Sequence, residues 1–167
     1  MWYYAHFHFT IRTNPYGFPY FSSILEQLYQ LESSPSPRQC SYYGYVNGDI
    51  LLDTRLPNLL MEYSNLSSSF RSPLFIGKRT NVHFLSDFSI DSFLPSQYQN
   101  LIQSYYREEE QFLGLAMDYF IFTKTTFDSS FRQDIVIGRD MIDSYIFHYG
   151  YTSSHVDVID ISDACTN

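Results

Sequence analysis

An α/β domain, with a mixed but mostly parallel sheet flanked by helices, is the fold class this sequence predicts. Segments with the two-residue period of strands alternate along the chain with segments of helical period, the pattern of a sheet covered by helices. Aromatic residues make up 19% of the chain, with 16 Tyr and 15 Phe. Such side chains favour strands and bury large apolar areas. At 167 residues, 44% hydrophobic and 17% charged, the chain reads as one globular domain over residues 1–167.

Each element follows from its own pattern. "YYAHFHFTI" (3–11) alternates as a strand, and "NPYGFP" (14–19) is a turn punctuated by Pro and Gly. In "YFSSILEQLYQLE" (20–32), Phe21, Ile24, Leu25, Leu28 and Leu31 share one helical face. "SSPSPRQ" (33–39) is a loop, and strand character follows through Val46. "TRLPNLLMEYSNL" (54–66) is a second helix with Asp53 or Thr54 as its cap. "SPLFIGKR" (72–79) is a short buried strand, while residues 80–94 mix strand and loop signals. "SQYQNLIQSYYREEEQFLGL" (96–115) reads as a helix and "MDYFIFTK" (117–124) as a strand. "RDMIDSYIFHYG" (139–150) is a helix stopped by Gly150, and "SHVDVIDIS" (154–162) is a closing strand. Gly17 and Gly44 read as turn residues.

Charge and cysteine usage narrow the function classes. A net charge of −8 opposes binding to a nucleic-acid backbone, which needs a basic surface. Cys40 and Cys165 fit no metal or redox spacing, so a reducing compartment is expected. The sequon Asn65-Leu66-Ser67 is too short a pattern to outweigh this. "MWYYAHFHFT" has neither the basic segment nor the apolar run of a signal peptide, and no stretch approaches the roughly 20 apolar residues of a spanning helix. The expectation is a soluble, cytoplasmic chain with no nucleic-acid partner and no membrane span.

The stretch with most chemistry is "YYGYVNGDILL" (42–52), where Asn47 and Asp49 stand between two apolar segments. A carboxylate in that setting must be hydrogen-bonded, ion-paired or metal-bound. Side chains two apart in extended backbone point the same way, and Gly48 between them allows close approach of a ligand. Two oxygen ligands on one side suit a hard cation such as Mg²⁺ or Mn²⁺, whose other positions are filled by water and phosphate. The alternative is a strand-end turn in which Asn and Asp cap backbone groups. Ligands of open α/β sheets gather at the carboxyl ends of strands, where "VNGD" is expected to lie.

Several stretches, in order along nearly the whole chain, resemble a family of nucleotide-diphospho-sugar transferase-like proteins with the GT-A glycosyltransferase fold. "YYGYVNGDILL" is similar to that family's "Y-I-N-x-D-I-L-L", and "SPLFIGKR" to its strand ending in "V-G-R-R". "NPYGFPYFSSILEQ" resembles "N-x-Y-G-x-P-x-x-S-x-x-x-E", and "MDYFIFTKTTF" resembles "D-x-F-x-F-P". "DIVIGRDMIDSYIFHYG" and "VDVIDISDACTN" resemble its "F-x-I-G-R-x-x-W-D-N-W-L" and closing "V-I-D-A-T-x-x-x-T". The resemblance implies a Rossmann-like GT-A sheet and transfer of a sugar from a nucleotide-diphosphate donor to a hydroxyl acceptor. Asn47 and Asp49 would stand where the family holds its metal, Mn²⁺ or Mg²⁺, and the donor diphosphate. A cation there would let a net-acidic protein bind pyrophosphate and would stabilise the departing nucleoside diphosphate.

The resemblance, and the residues themselves, nominate further candidates. Asp143 matches the Asp of "G-R-x-x-W-D" and is either a base toward the acceptor hydroxyl or a helix-start charge stabilised by the dipole. Met141 and Ile142 stand where the family has Trp. Arg139 and Arg79, the latter beside Lys78, follow apolar strands and are either phosphate or sugar-carboxylate ligands or surface cations. Asp118, matching "D-x-F", either positions a sugar hydroxyl or accepts backbone N–H groups. His6 and His8 share a strand face without a nearby acid, and Glu108, Glu109 and Glu110 read as a solvated face.

The family pattern starts with a strand and helix ahead of "NPYG" and continues to histidines beyond the closing Thr. The expectation is therefore a partial domain, short at both ends and lacking the first strand or strands, whose bared apolar edges would favour self-association. A catalytically inactive member acting as a glycan- or nucleotide-binding module is the alternative. A sugar-phosphate nucleotidyltransferase lacks support, because no Gly-rich N-terminal loop is present.

Overall fold

A computed structural model describes residues 11–33, 42–47, 50, 52, 53, 55–66, 71–81, 110, 111, 117–128, 131, 134–138 and 141–162. Among these, three helices and six strands form in the order α1 (Phe21–Ser33), β1 (Tyr43–Val46), α2 (Leu56–Leu66), β2 (Ser72–Gly77), β3 (Thr80–Asn81), β4 (Glu110–Gln111), β5 (Tyr119–Phe122), α3 (Ile142–Thr152) and β6 (Val156–Asp160). Most of the predicted strand at 3–11 and most of the predicted helix at 96–115 lie outside the described residues, and Ile11, which is described, is not in a strand.

Four strands form one sheet in the order β1-β5-β2-β6. β5 runs antiparallel to both β1 and β2, whereas β2 and β6 are parallel. Three strands therefore share a direction, but β5 lies between two of them. This corrects the expectation of a mostly parallel sheet, since two of the three pairings are antiparallel. The short strands β3 and β4 pair separately, so Glu110 and Gln111 are extended and not the helix the sequence pattern predicts there.

Strand alternation sends side chains to two cores. Leu74, Ile76, Phe120, Phe122 and Val156 face α1 and α3, meeting Phe21, Leu25, Ile142, Ile146 and Tyr149. Phe75, Tyr119, Ile121 and Ile161 face α2, meeting Leu56 and Leu60. The domain is thus a sheet between two helical layers. Much of the first core is aromatic, with Phe21 edge-on to Tyr45, Phe127 and Phe131 at centroid distances of 5.4, 5.8 and 5.7 Å. Such edge-to-face pairs add to the burial of area itself.

Two glycines show what the layers demand. Gly150 does not stop α3, which continues to Thr152; it lies inside the helix, buried against the sheet. A Cβ there would sit 2.5 Å from Leu74 Cδ2 and 2.8 Å from Val158 Cγ2. Only a glycine lets the helix backbone approach the sheet so closely. Gly44, expected in a turn, is instead paired with Ile121 within β1. Gly17 keeps its turn role, with φ +84° in a loop where Asn14 Oδ1 accepts the N–H groups of Tyr16 and Phe18 at 3.0 Å each.

α2 begins where Asp53 terminates the preceding segment. The Asp53 carbonyl accepts the Leu56 N–H at 3.2 Å, and Oδ1 accepts the Arg55 N–H at 2.7 Å. Arg55 also closes a two-pronged ion pair on the buried Asp53 carboxylate, Nε to Oδ1 at 3.1 Å and Nη2 to Oδ2 at 2.8 Å. This satisfies a charge whose side chain is only 2% exposed. At the far end of the sheet, fully buried Thr126 donates its hydroxyl to Pro73 O and accepts from Thr123 N, both at 2.9 Å.

Candidate functional site

The strand directions decide where the predicted residues gather. β1, β2 and β6 all exit at the end of the sheet where β5 begins. Val46 and Gly77 both stand opposite Tyr119, so Asn47, Asp118 and Lys78 come to one level from three strands. Ring contacts of Phe21 with Tyr45 and of Tyr29 with Tyr43 show α1 running against β1, with its start at this same end.

Asp118 organises the exits. Its backbone N–H donates to Gly77 O at 2.9 Å and its carbonyl accepts the Asn47 N–H at 3.4 Å, so it bridges β2 and β1. Its carboxylate takes the Arg79 backbone N–H on Oδ2 at 3.1 Å and the Arg79 guanidinium on Oδ1 at 2.9 Å. That side chain is 4% exposed and Arg79 is 33% exposed. Acid and cation, nominated separately from sequence, therefore form one clasp that fixes the chain as it leaves β2. Tyr119 packs its ring across Gly77, in space any Cβ would occupy, which places β5 tightly against β2.

Beside the clasp, Lys78 donates its backbone N–H to Ser162 Oγ at 3.0 Å, and the Ser162 N–H donates to Asp160 Oδ1 at 2.9 Å. The exit of β2 is thus held from both neighbours, by β5 through Asp118 and by β6 through Ser162. Asn47 is exposed directly after β1, and its carbonyl accepts the Ile50 N–H at 3.1 Å.

Asp143 lies half-buried in the first turn of α3. The helix starts at Ile142, later than its sequence pattern predicts, after Met141 adopts the left-handed region at φ 86°. Met141, the residue at the cap position, makes no side-chain hydrogen bond to this end. Asp143 is close enough to Tyr45 on β1 to influence it electrostatically. Burial pushes the Tyr45 phenol above its ordinary value of 10.0, and the Asp143 carboxylate raises it further. The charge of Asp143 on α3 is thus felt by Tyr45 on β1. Tyr45 went unnoticed in the sequence because nothing marks it out among the other tyrosines of 42–45.

Asp49 and Arg139 lie outside the described residues, as do Gly48, His6, His8, Glu108 and Glu109. Among the described residues no three His, Cys, Asp or Glu side chains gather as a metal-holding group. Sites of the Mg²⁺ type use only one or two protein carboxylates plus ligand phosphates, so the test of fit falls on Asn47 and its neighbours. Asn47, whose side chain carries an oxygen donor of the kind such sites use, is exposed at a strand exit. Among the described residues no helix is long and apolar enough to cross a membrane. No protein-family model matches the chain, and neither a curated protein nor a solved structure matches it.

Proposed function

We propose that the protein is a glycosyltransferase-like member of the nucleotide-diphospho-sugar transferase-like class, of GT-A type, taking a nucleotide-sugar donor and a hydroxyl acceptor. The observation that carries this reading is the convergence of Asn47, Asp118 and Arg79 at one end of the sheet, from segments that each resemble the family's motifs. Asp49, with Asn47, would hold Mn²⁺ or Mg²⁺ against the donor diphosphate. When bound, that cation supplies charge neutralisation for the leaving nucleoside diphosphate.

The protein's own groups have distinct parts in this reading. Asp143 takes the proton from the acceptor hydroxyl, and the Tyr45 hydroxyl lies within its electrostatic reach. Asp118 and Arg79 serve through their clasp, which fixes the level of Asn47 relative to the β2 exit. Arg139 holds a donor phosphate or sugar carboxylate.

The test is a panel of UDP- and GDP-sugars incubated with the protein and Mn²⁺, with release of nucleoside diphosphate followed by mass spectrometry. The reading expects release from at least one donor, at least tenfold slower in Asp143→Asn and lost in Asp49→Ala. Absence of release from every donor, with glycan or nucleotide binding that ignores metal and survives Asp49→Ala, would identify an inactive binding module instead.

A further inference from the structure

The described cations differ in what their charges do. Arg12 faces Glu26 and Asp134, Arg55 pairs with Asp53, Arg71 with Asp157 and Arg79 with Asp118. Lys124 lies over the Tyr29 ring, 5.8 Å from its centroid. The ammonium of half-buried Lys78 has no acceptor among the described residues. It nevertheless stands on a stretch of chain that side chains hold by its backbone. Its own N–H is bound by Ser162 Oγ and the next N–H by Asp118 Oδ2, so the backbone that carries it is fixed from both sides.

Arg79 is in the opposite position. Its guanidinium and its backbone N–H both serve a carboxylate that is almost wholly buried. Turning the guanidinium to a ligand would strand that buried charge, which is strongly unfavourable. Arg79 is therefore a poor anion ligand, however well its position after an apolar strand suggests one. Lys78 can approach an anion without breaking anything, and a chain of net charge −8 needs such an uncommitted cation where it binds phosphate.

We propose that Lys78, and not Arg79, is the β2-exit cation that contacts the diphosphate of a bound nucleotide, with Asp118 and Arg79 fixing the backbone from which it reaches. This rests on the nucleotide-sugar reading above and assigns its phosphate contact to Lys78, at the first basic position of the stretch that resembles "V-G-R-R", instead of to Arg79. A lysine serves here as a mobile point charge on a fixed anchor, which suits a phosphate whose partner cation is a metal.

The experiment titrates inorganic pyrophosphate and UDP, each with Mg²⁺, into the full chain and into Lys78→Gln, Lys78→Arg and Arg79→Gln, with thermal melting of all four. Lys78→Gln weakens both ligands about tenfold, as loss of a charge-assisted contact should, and leaves the melting temperature unchanged. Lys78→Arg restores most of the affinity. Arg79→Gln lowers the melting temperature, as loss of the clasp demands. Ligand binding that is equal in the full chain and in Lys78→Gln overturns the assignment to Lys78 while leaving the nucleotide reading standing. Absence of binding of either ligand to the folded full chain overturns both.

Discussion

The Asp118 carboxylate holds Arg79 twice, by its backbone N–H at 3.1 Å and by its guanidinium at 2.9 Å, across 39 residues of sequence. Because the acid is buried and its partner half-exposed, the pair serves position more than net stability, yet removing one member leaves the other uncompensated. Asp118→Ala strands the Arg79 backbone N–H and is expected to destabilise the domain by about 2 kcal/mol, read as a lowered urea midpoint. Asp118→Asn retains an acceptor and loses less. If Asp118 contacted only a sugar hydroxyl, Asp118→Ala would keep the wild-type midpoint and lose only ligand binding.

The helix–sheet contact at Gly150 gives a second test. Gly150→Ala improves intrinsic helix propensity by about 1 kcal/mol but forces a methyl into space held by Leu74 and Val158. Overpacking of a tight core costs about 1–3 kcal/mol, so the variant is expected to be less stable. Pairing it with Leu74→Ala should recover part of the loss, a coupling that a double-mutant cycle measures directly. A Gly150→Ala protein more stable than wild type would show that the methyl is accommodated and that the close approach of helix to sheet does not require glycine.

Asp53 makes a third, smaller prediction. Asp53→Ala removes both the turn that leads into α2 and the acceptor of the Arg55 fork. A loss of about 2 kcal/mol is expected from cap and ion pair together. Asp53→Asn, which keeps the turn, should lie between it and wild type.

Tyr45 carries a pH signature. Its phenol is raised above 10.0 first by burial and then by Asp143. The folded protein therefore keeps Tyr45 protonated after the unfolded chain has ionised. Its contribution is constant below the unfolded value and is lost as pH rises through the folded one, so stability falls in the alkaline window that begins near 10.0. The difference in tyrosinate absorbance between wild type and Tyr45→Phe isolates this group. In Asp143→Asn its midpoint should move down but stay above 10.0, because burial remains. An unchanged midpoint would separate Asp143 from Tyr45.

Local pattern carried most of the fold. The helix expected at 20–32 forms as Phe21–Ser33, and the strands expected at 72–79, 117–124 and 154–162 form as Ser72–Gly77, Tyr119–Phe122 and Val156–Asp160. Periodicity reports burial of one face and is intrinsically local. It says nothing about which strand lies beside which, so the insertion of antiparallel β5 between β1 and β2 was not legible. Gly150 misled for a related reason. A glycine near a helix end marks a cap by local rules, and only tertiary approach to Leu74 reveals its other use. The clasp of Asp118 and Arg79 joins residues that sequence reading weighed separately, Asp118 as a sugar-hydroxyl contact or an acceptor of backbone N–H groups, Arg79 as an anion ligand or a surface cation; the carboxylate of Asp118 does accept a backbone N–H, that of Arg79. The Asp53 and Arg55 pair did leave a signal, an acid two residues ahead of a cation at a helix start, which could have been read.

The central claim is that a metal-assisted diphosphate site lies at the exit of β1. Calorimetric titration of UDP and GDP into the full chain, with and without Mn²⁺, and into Asp49→Ala, tests it most directly. Binding of at least one nucleotide that requires Mn²⁺ and disappears in Asp49→Ala is the expected result. Binding that is indifferent to both metal and Asp49, or none at all in a chain shown to be folded, would contradict it.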